Sequence, residues 1–399
     1  MKKMCISVSL IVCFLMLSVT GCFSEQQKPI ADLESVSIPD IIANEDDIAL
    51  LQQIFESETA YLASLQLENG AIPMTRSENG ELSMNPYFAD FAALALLDNA
   101  AEYADEVKKY TDWHFDHLNT EENDYNGIDG TIYDYIITVA DGKVTKETVK
   151  ETDGIKTYDS TDSYAATFLM VLEKYYAKTN DTEYILSHSK DIERITNAMF
   201  STLHKGLTFA KPDYEVKYLM DNSEVCAGAV SASSLFRDVI CPADSSYDEI
   251  AEKCEKTAEE LVKAIEKNLW NASENHYESA IFRDGKAAYD FSWNEYYPDA
   301  TAQLFPIIYG VIAADSKRAA ALYDNFCNSF DWQNFDIPSE FCWGSNVLAA
   351  AYMNDLESVI CYMRNFAEIY EKHEYPLYNA DSARVCMAAY IMLEKNLPS

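Results

Sequence analysis

From about residue 46 onward, apolar and polar positions fall into two alternating registers. In the first, apolar residues recur at i, i+3, i+4 and i+7 with charged residues between them, over 47–66, 104–119, 182–204, 247–272, 317–331 and 356–374. In the second, apolar and small residues occupy nearly every side of the helix, over 86–99, 161–177, 221–239, 298–313, 344–353 and 379–395. A helix that is apolar all round must be buried, whereas a striped one covers it. Strict outer–inner alternation therefore predicts an all-α fold. Six helical hairpins would place inner helices in a closed ring, sheathed by a ring of outer ones, over 46–397.

The connections sharpen this picture. Inner-to-outer links are short, as at 178–182 and 313–317, while outer-to-inner links are long and carry turn signals. Asn79-Gly80, Asp141-Gly142 and Asp284-Gly285 each lie between residues able to form strands, so small β-hairpins are expected there. All outer-to-inner loops emerge on one rim of such a ring, which makes that rim the elaborated mouth. Tetratricopeptide-like arrays also alternate helices, but they repeat at about 34 residues with a signature that this chain lacks.

The first residues have a different pattern. Lys2 and Lys3 precede an apolar run over 6–17, and Val19-Thr20-Gly21 leads into Cys22. This is the form of a lipoprotein signal, giving a signal peptide over 1–21, a lipid on Cys22 and a flexible tether over 22–45. The protein is then expected on the extracytoplasmic face of the cell membrane, held by that lipid. The run is too short for a comfortable membrane span, and no later stretch is long and apolar enough for one.

A net charge of −36 argues against nucleic acid as a partner and against basic docking on anionic lipid. With 12 glycines and 11 prolines against 27 tyrosines and 18 phenylalanines, the composition suits a helix-rich body with an aromatic surface. Beyond Cys22, seven cysteines remain: Cys226, Cys241, Cys254, Cys327, Cys342, Cys361 and Cys386. Their odd number and spacing fit neither a full disulfide set nor a zinc site, so buried thiols are expected and no metal or other cofactor is called for. A monomer is expected.

The residues around each inner-helix start are unusually alike. They include Tyr87 and Asp90, then Asp159 and Asp162, then Asp221 and Glu224. Further on come Trp293, Glu295, Tyr297 and Asp299, then Trp343, and finally Tyr378, Asp381 and Arg384. Aromatic faces stack on sugar rings, and carboxylates bind sugar hydroxyls. A pair of carboxylates is also what cleavage of a glycosidic bond requires. Helix capping competes as an explanation for each acid: Asp221 and Glu224 have capping-box spacing, and Asp159 and Asp162 suit a helix N-terminus. Capping does not explain the aromatic company.

Over 47–395 the chain resembles the six-hairpin glycosidase superfamily, the (α/α)6 toroids. The stretches that carry the likeness are Tyr158-Asp159-Ser160-Thr161-Asp162-Ser163-Tyr164 and Tyr218-Leu219-Met220-Asp221-Asn222-Ser223-Glu224. The resemblance implies cleavage of a poly- or oligosaccharide at the mouth of the ring, often with inversion. Asp162 would be one catalytic carboxylate, with Asp221 or Glu224 as its partner. The Ala-Ser-Asp-Gly-Glu type of signature found in glycoside hydrolase family eight is absent.

Tyr87, Asp90, Asp159, Trp293, Glu295, Tyr297, Asp299, Trp343, Tyr378 and Asp381 would bind the sugar. The six histidines lie on outer helices or loops, which disfavours a histidine-dependent epimerase. Only Arg384 stands ready to neutralise a uronate, which disfavours a lyase. The expectation is a hydrolase of neutral glycans; the alternative is a glycan-binding surface lipoprotein without catalysis.

Overall fold

A computed structural model describes residues 33–36 and 42–396. The predicted signal segment, Cys22 and most of the predicted tether lie outside the described residues. Six outer elements alternate with six inner ones. The outer elements are α1 (Glu45–Ser64), α3 (Ala100–Asp116), the pair α5 (Thr182–Ser187) and α6 (Ser189–Met199), α8 (Asp248–Asn268), α10 (Lys317–Ser329) and α12 (Leu356–Ile369). The inner elements are α2 (Pro86–Leu96), α4 (Asp162–Thr179), α7 (Leu219–Leu235), α9 (Phe305–Ile308), α11 (Ser345–Tyr352) and α13 (Asn379–Asn396). Each inner helix packs on the next, and α13 packs back on α2, so the inner ring closes. Among the described residues no helix is long and apolar enough to cross a membrane.

Local chemistry sets the helix starts. The Asn44 side chain accepts the Asp47 N–H at 3.0 Å, and Glu45, Asp46 and Asp47 crowd the positive end of α1. Asn85 accepts the Phe88 N–H at 3.0 Å while Pro86 opens α2, a position where its missing N–H costs nothing. The inner helices α4 and α7 approach closely because Gly228 faces Ala166: a Cβ on Gly228 would stand 2.6 Å from the Ala166 Cα. Ala166 lies one turn beyond Asp162 and Gly228 one turn beyond Glu224, so this contact fixes how far apart the two acids sit.

Besides the outer segment 182–204, which divides at His188 into α5 and α6, two elements differ from the sequence expectation. The segment 298–313 is not one helix: a π turn at Tyr296–Ala300 is followed by the single turn of α9. Pro306 lacks the N–H that a continuous helix would donate to residue 302, so the ladder stops there. The second concerns Asn79-Gly80. Strand β1 (Gly80–Met84) pairs antiparallel with β2 (Tyr135–Ala140) from the next loop, and only β2 and β3 (Lys143–Val149) form a local hairpin. That hairpin turns at Asp141-Gly142, both with positive φ, as a two-residue turn requires. Asp141 N–H donates to the Asn79 side chain at 3.0 Å, so one turn braces the other.

Two-stranded pairs complete the loops. These are β4 (Glu151–Thr152) with β5 (Ile155–Lys156), β6 (Val216–Tyr218) with β9 (Ala280–Phe282), and β7 (Trp270–Asn271) with β8 (His276–Tyr277). Strand pairing thus links the first loop to the second and the third to the fourth.

The ring's seam joins the two ends of the body. Helix α1 packs on α13, and the Ala43 N–H donates to the Asn396 side chain at 2.9 Å. Residues 33–36 lie along 315–317, with the Val36 N–H on the Asp315 carbonyl at 2.7 Å and the Lys317 N–H on the Glu34 carbonyl at 2.8 Å. All seven cysteines of the body are free: Cys226, Cys254, Cys342 and Cys386 are buried, and Cys241, Cys327 and Cys361 are half-buried.

Candidate active site

The two closely packed helices α4 and α7 bring three carboxylates together. Asp162 opens α4 and is fully buried. Its Oδ1 accepts from the Ser160 hydroxyl and from the Ser163 N–H at 2.9 Å, while Oδ2 is buried without a well-formed hydrogen bond. Burial pushes its pKa up to about 6, against the pull of the Ser160 and Thr208 hydroxyls.

Asp221 is the third residue of α7 and half-buried. Tyr218 occupies the cap position, so Asp221 and Glu224 form no capping box. Burial first, and then the charges of Asp162, Glu224 and Asp159, hold the Asp221 carboxyl well above the usual range.

Glu224 lies one turn deeper, toward the ring axis, and is 1 % exposed. Its Oε1 accepts from the Tyr87 hydroxyl at 2.5 Å and from the Tyr309 hydroxyl at 3.1 Å. Burial raises its pKa to about 7, opposed by Tyr87, by Arg384 and by Tyr309. The Arg384 guanidinium lies 3.9 Å over the Phe91 ring, with Nη2 3.5 Å from the Tyr87 hydroxyl. Residues of α2, α7 and α13, with Tyr309 just past α9, thus converge on one carboxylate.

Beside this centre, Asn85 donates to the Tyr164 hydroxyl at 2.6 Å, and Tyr164 donates to Asp134 at 3.0 Å. Tyr164 stacks on Tyr87 with centroids 5.8 Å apart. Burial brings Asp134 up to about 6. Asp381 accepts the Gly344 N–H at 3.0 Å; burial raises its pKa and Arg384 pulls it down. A Cβ on Gly344 would fall 2.4 Å from the Asp381 carbonyl oxygen, so this approach of α11 to α13 needs glycine.

The remaining sequence-predicted residues divide into two groups. Asp159, Glu295 and Tyr297 are exposed, and the charges of Asp159 and Asp221 both act on Tyr297. Tyr297 and Trp343 lie 5.1 Å apart, Trp293 meets Phe291 edge-on at 5.3 Å, and Tyr378 sits between Phe88 and Phe341.

Asp90 and Asp299 stand apart, because neighbours take both of their oxygens. Asp90 accepts from Tyr110 of α3 and Thr167 of α4, each at 2.7 Å. Asp299 accepts from the Ser279 hydroxyl at 2.6 Å and the Ser292 N–H at 2.9 Å. Tyr309 and Asp134 escape sequence reasoning, whereas Tyr164 closes the stretch that the sequence singles out at the second inner-helix start. Tyr309 lies late in the inner segment 298–313 instead of opening it, and Asp134 precedes a strand.

No protein-family model and no curated protein matches the sequence. Solved structures match along most of the chain. A wild-type glycosidase aligns with a TM-score of 0.60 at 10% identity, covering 89% of this chain and 99% of that one. A novel α-amylase from Clostridium perfringens aligns at 0.51 and 12% identity, over 87% and 97% of the two chains. A GH78 family rhamnosidase of Bacillus sp. GL1 aligns at 0.51 and 12% identity, over 90% of this chain but 36% of its own. The fold is that of the glycosidase toroids. Within this toroid, acids, tyrosines and an arginine gather where the inner helices begin, and the aromatic residues of the loops stand around them.

Proposed function

We propose that this toroid hydrolyses O-glycosidic bonds in a neutral poly- or oligosaccharide by carboxylate acid–base catalysis. The observation that carries the reading is the placement of Asp221: half-exposed in the first turn of α7, one turn from Glu224, where burial and the charges of Asp162, Glu224 and Asp159 raise its pKa. A carboxyl whose pKa is held above the usual carboxylate range is the kind of group that can protonate a leaving oxygen. Glu224 supplies the base. The hydroxyls of Tyr87 and Tyr309 and the nearby Arg384 favour its charged form, and Oε2 remains to activate water. Inversion is the expected outcome for a water-activating Glu224; proton NMR of the first-formed anomer reads it. Tyr297, Trp343 and Tyr378 offer ring faces to sugars on the way in.

One of the matching glycosidase structures, with a TM-score of 0.59 at 9% identity, holds glucose. Glucose-containing oligosaccharides therefore head the substrate panel. The test compares product release, by mass spectrometry, from wild type, Asp221→Asn and Asp162→Asn. Release by wild type alone supports the reading; saturable binding without release by wild type would replace it with a glycan-binding role.

The anchoring reading belongs to the same proposal. Supported by Lys2, Lys3, the apolar run and Val19-Thr20-Gly21-Cys22, it puts a lipid on Cys22 and the toroid on the outer face of the membrane. Cys22→Ser is expected to lose incorporated labelled palmitate and to leave the lipid-linked fraction. Undiminished labelling in that variant would refute it.

A further inference from the structure

The described residues ahead of α1 are held at one face of the toroid, its base, which lies opposite the mouth. Residues 33–36 run along the link from α9 to α10, where the Val36 N–H donates to the Asp315 carbonyl at 2.7 Å and the Lys317 N–H to the Glu34 carbonyl at 2.8 Å. Glu34 also pairs with the Lys317 ammonium, and Leu33 packs half-buried against the core. A second fixing point lies on the same face: the Ala43 N–H donates to the Asn396 side chain at the end of α13, and Asn44 caps the start of α1. Inner helices end and outer helices begin at this base, whereas the acids stand where the inner helices begin.

Chain length then limits where Cys22 can stand. Its eleven residue steps to Leu33 reach at most about 40 Å when fully extended. The 18 residues of α4 rise about 27 Å from mouth to base. Bringing the mouth onto a bilayer would therefore use up most of that reach along the flank of the toroid, while bringing the base there uses almost none. Charge opposes the same arrangement. Asp159 and Glu295 are exposed at the mouth and Asp221 is half-buried there, in a chain of net charge −36, so an anionic lipid surface repels this rim.

We propose that the base is the face turned toward the membrane and that the mouth opens away from the lipid surface. The inference rests on the lipid at Cys22 and is independent of hydrolysis. It narrows the class of glycan that the mouth can take. Sugar chains that arrive from outside meet the acids directly, whereas those borne on lipids of the anchoring bilayer lie beneath the base, on the wrong side of the ring.

The test is energy transfer from the lipidated full chain to vesicles of phosphatidylethanolamine and phosphatidylglycerol that carry a rhodamine-labelled headgroup. A fluorescent amino acid replaces either Ala243, exposed in the link from α7 to α8 at the base, or Lys286, exposed in a loop at the mouth. Transfer from position 243 is expected to exceed that from position 286 at least about twofold, since a helix length separates the two faces. Equal transfer, or more from position 286, in a chain that floats with the vesicles would overturn the orientation and leave the anchor standing. That result would mean that exposed aromatics of the mouth, such as Tyr297 and Phe341, rest on the bilayer. A wild-type chain that carries no lipid would remove the anchor and this inference together. Should either labelled chain fail to fold, Ser245 and Asp284 in the same two loops take the label instead.

Discussion

Glu224 and Asp221 stand one turn apart on the same helix, yet their surroundings treat their protons differently. Glu224 receives two phenolic hydrogen bonds and faces a guanidinium; Asp221 faces other acids. Asp221→Asn is expected to lower kcat by roughly 10²–10⁴-fold with little change in KM, since the proton is needed only as the bond breaks. Tyr309→Phe removes a donor that stabilises the Glu224 carboxylate, so the acid limb of the kcat/KM profile is expected to move to higher pH.

Stability should respond in the opposite sense to activity. The folded-state pKa of Glu224 is raised from 4.5 to about 7, so its ionisation costs stability progressively as pH rises through that interval. The full cost is on the order of 3 kcal/mol above pH 7. Glu224→Gln should therefore be more stable than wild type at pH 7 and about equal at pH 4, as measured by denaturant unfolding. These acids were legible in the sequence because carboxylates inside apolar, aromatic-flanked runs are conspicuous. Asp90 and Asp299 share that appearance, and only the hydroxyl and N–H groups that saturate them reveal a different role. Those partners come from other elements, which sequence spacing does not report.

Among the elements, α4 and α7 matter most, because their contact through Ala166 and Gly228 sets the spacing of the acids one turn away. Gly228→Val would push the two backbones apart. It is expected to cost about 1–3 kcal/mol in denaturant unfolding and to reduce kcat although no functional group is altered. Five of the six hairpins could be read from periodicity, since a helix apolar all round has few alternatives. The sixth misleads because Pro306 sits inside an apolar run that otherwise reads as helix, and the resulting break belongs to the segment that carries Tyr309. Strand pairing was harder still: β1 chooses β2 in the next loop, a long-range partner that no local pattern announces.

For the molecule as a whole, the double ring was predictable from alternation alone, and the position of the mouth from loop length. The rim carries Tyr297 and Trp343 in contact, with Phe341, Tyr378 and Phe88 forming a second group. Tyr297→Ala and Trp343→Ala are expected to raise KM about 10-fold or more while kcat changes less, read by initial rates on a chain-length series. If both leave KM unchanged, sugars approach by another route. The closing contact of the ring has a consequence for how the protein is made. Arg384 resides on α13, the last helix, while Tyr87 is on α2 and Glu224 on α7. A nascent chain that has released every other helix still lacks both the guanidinium beside Glu224 and the wall that joins α2 to α11. Synthesis must finish before the carboxylates acquire their final surroundings, so a chain cut short by even this one helix would leave the centre unassembled.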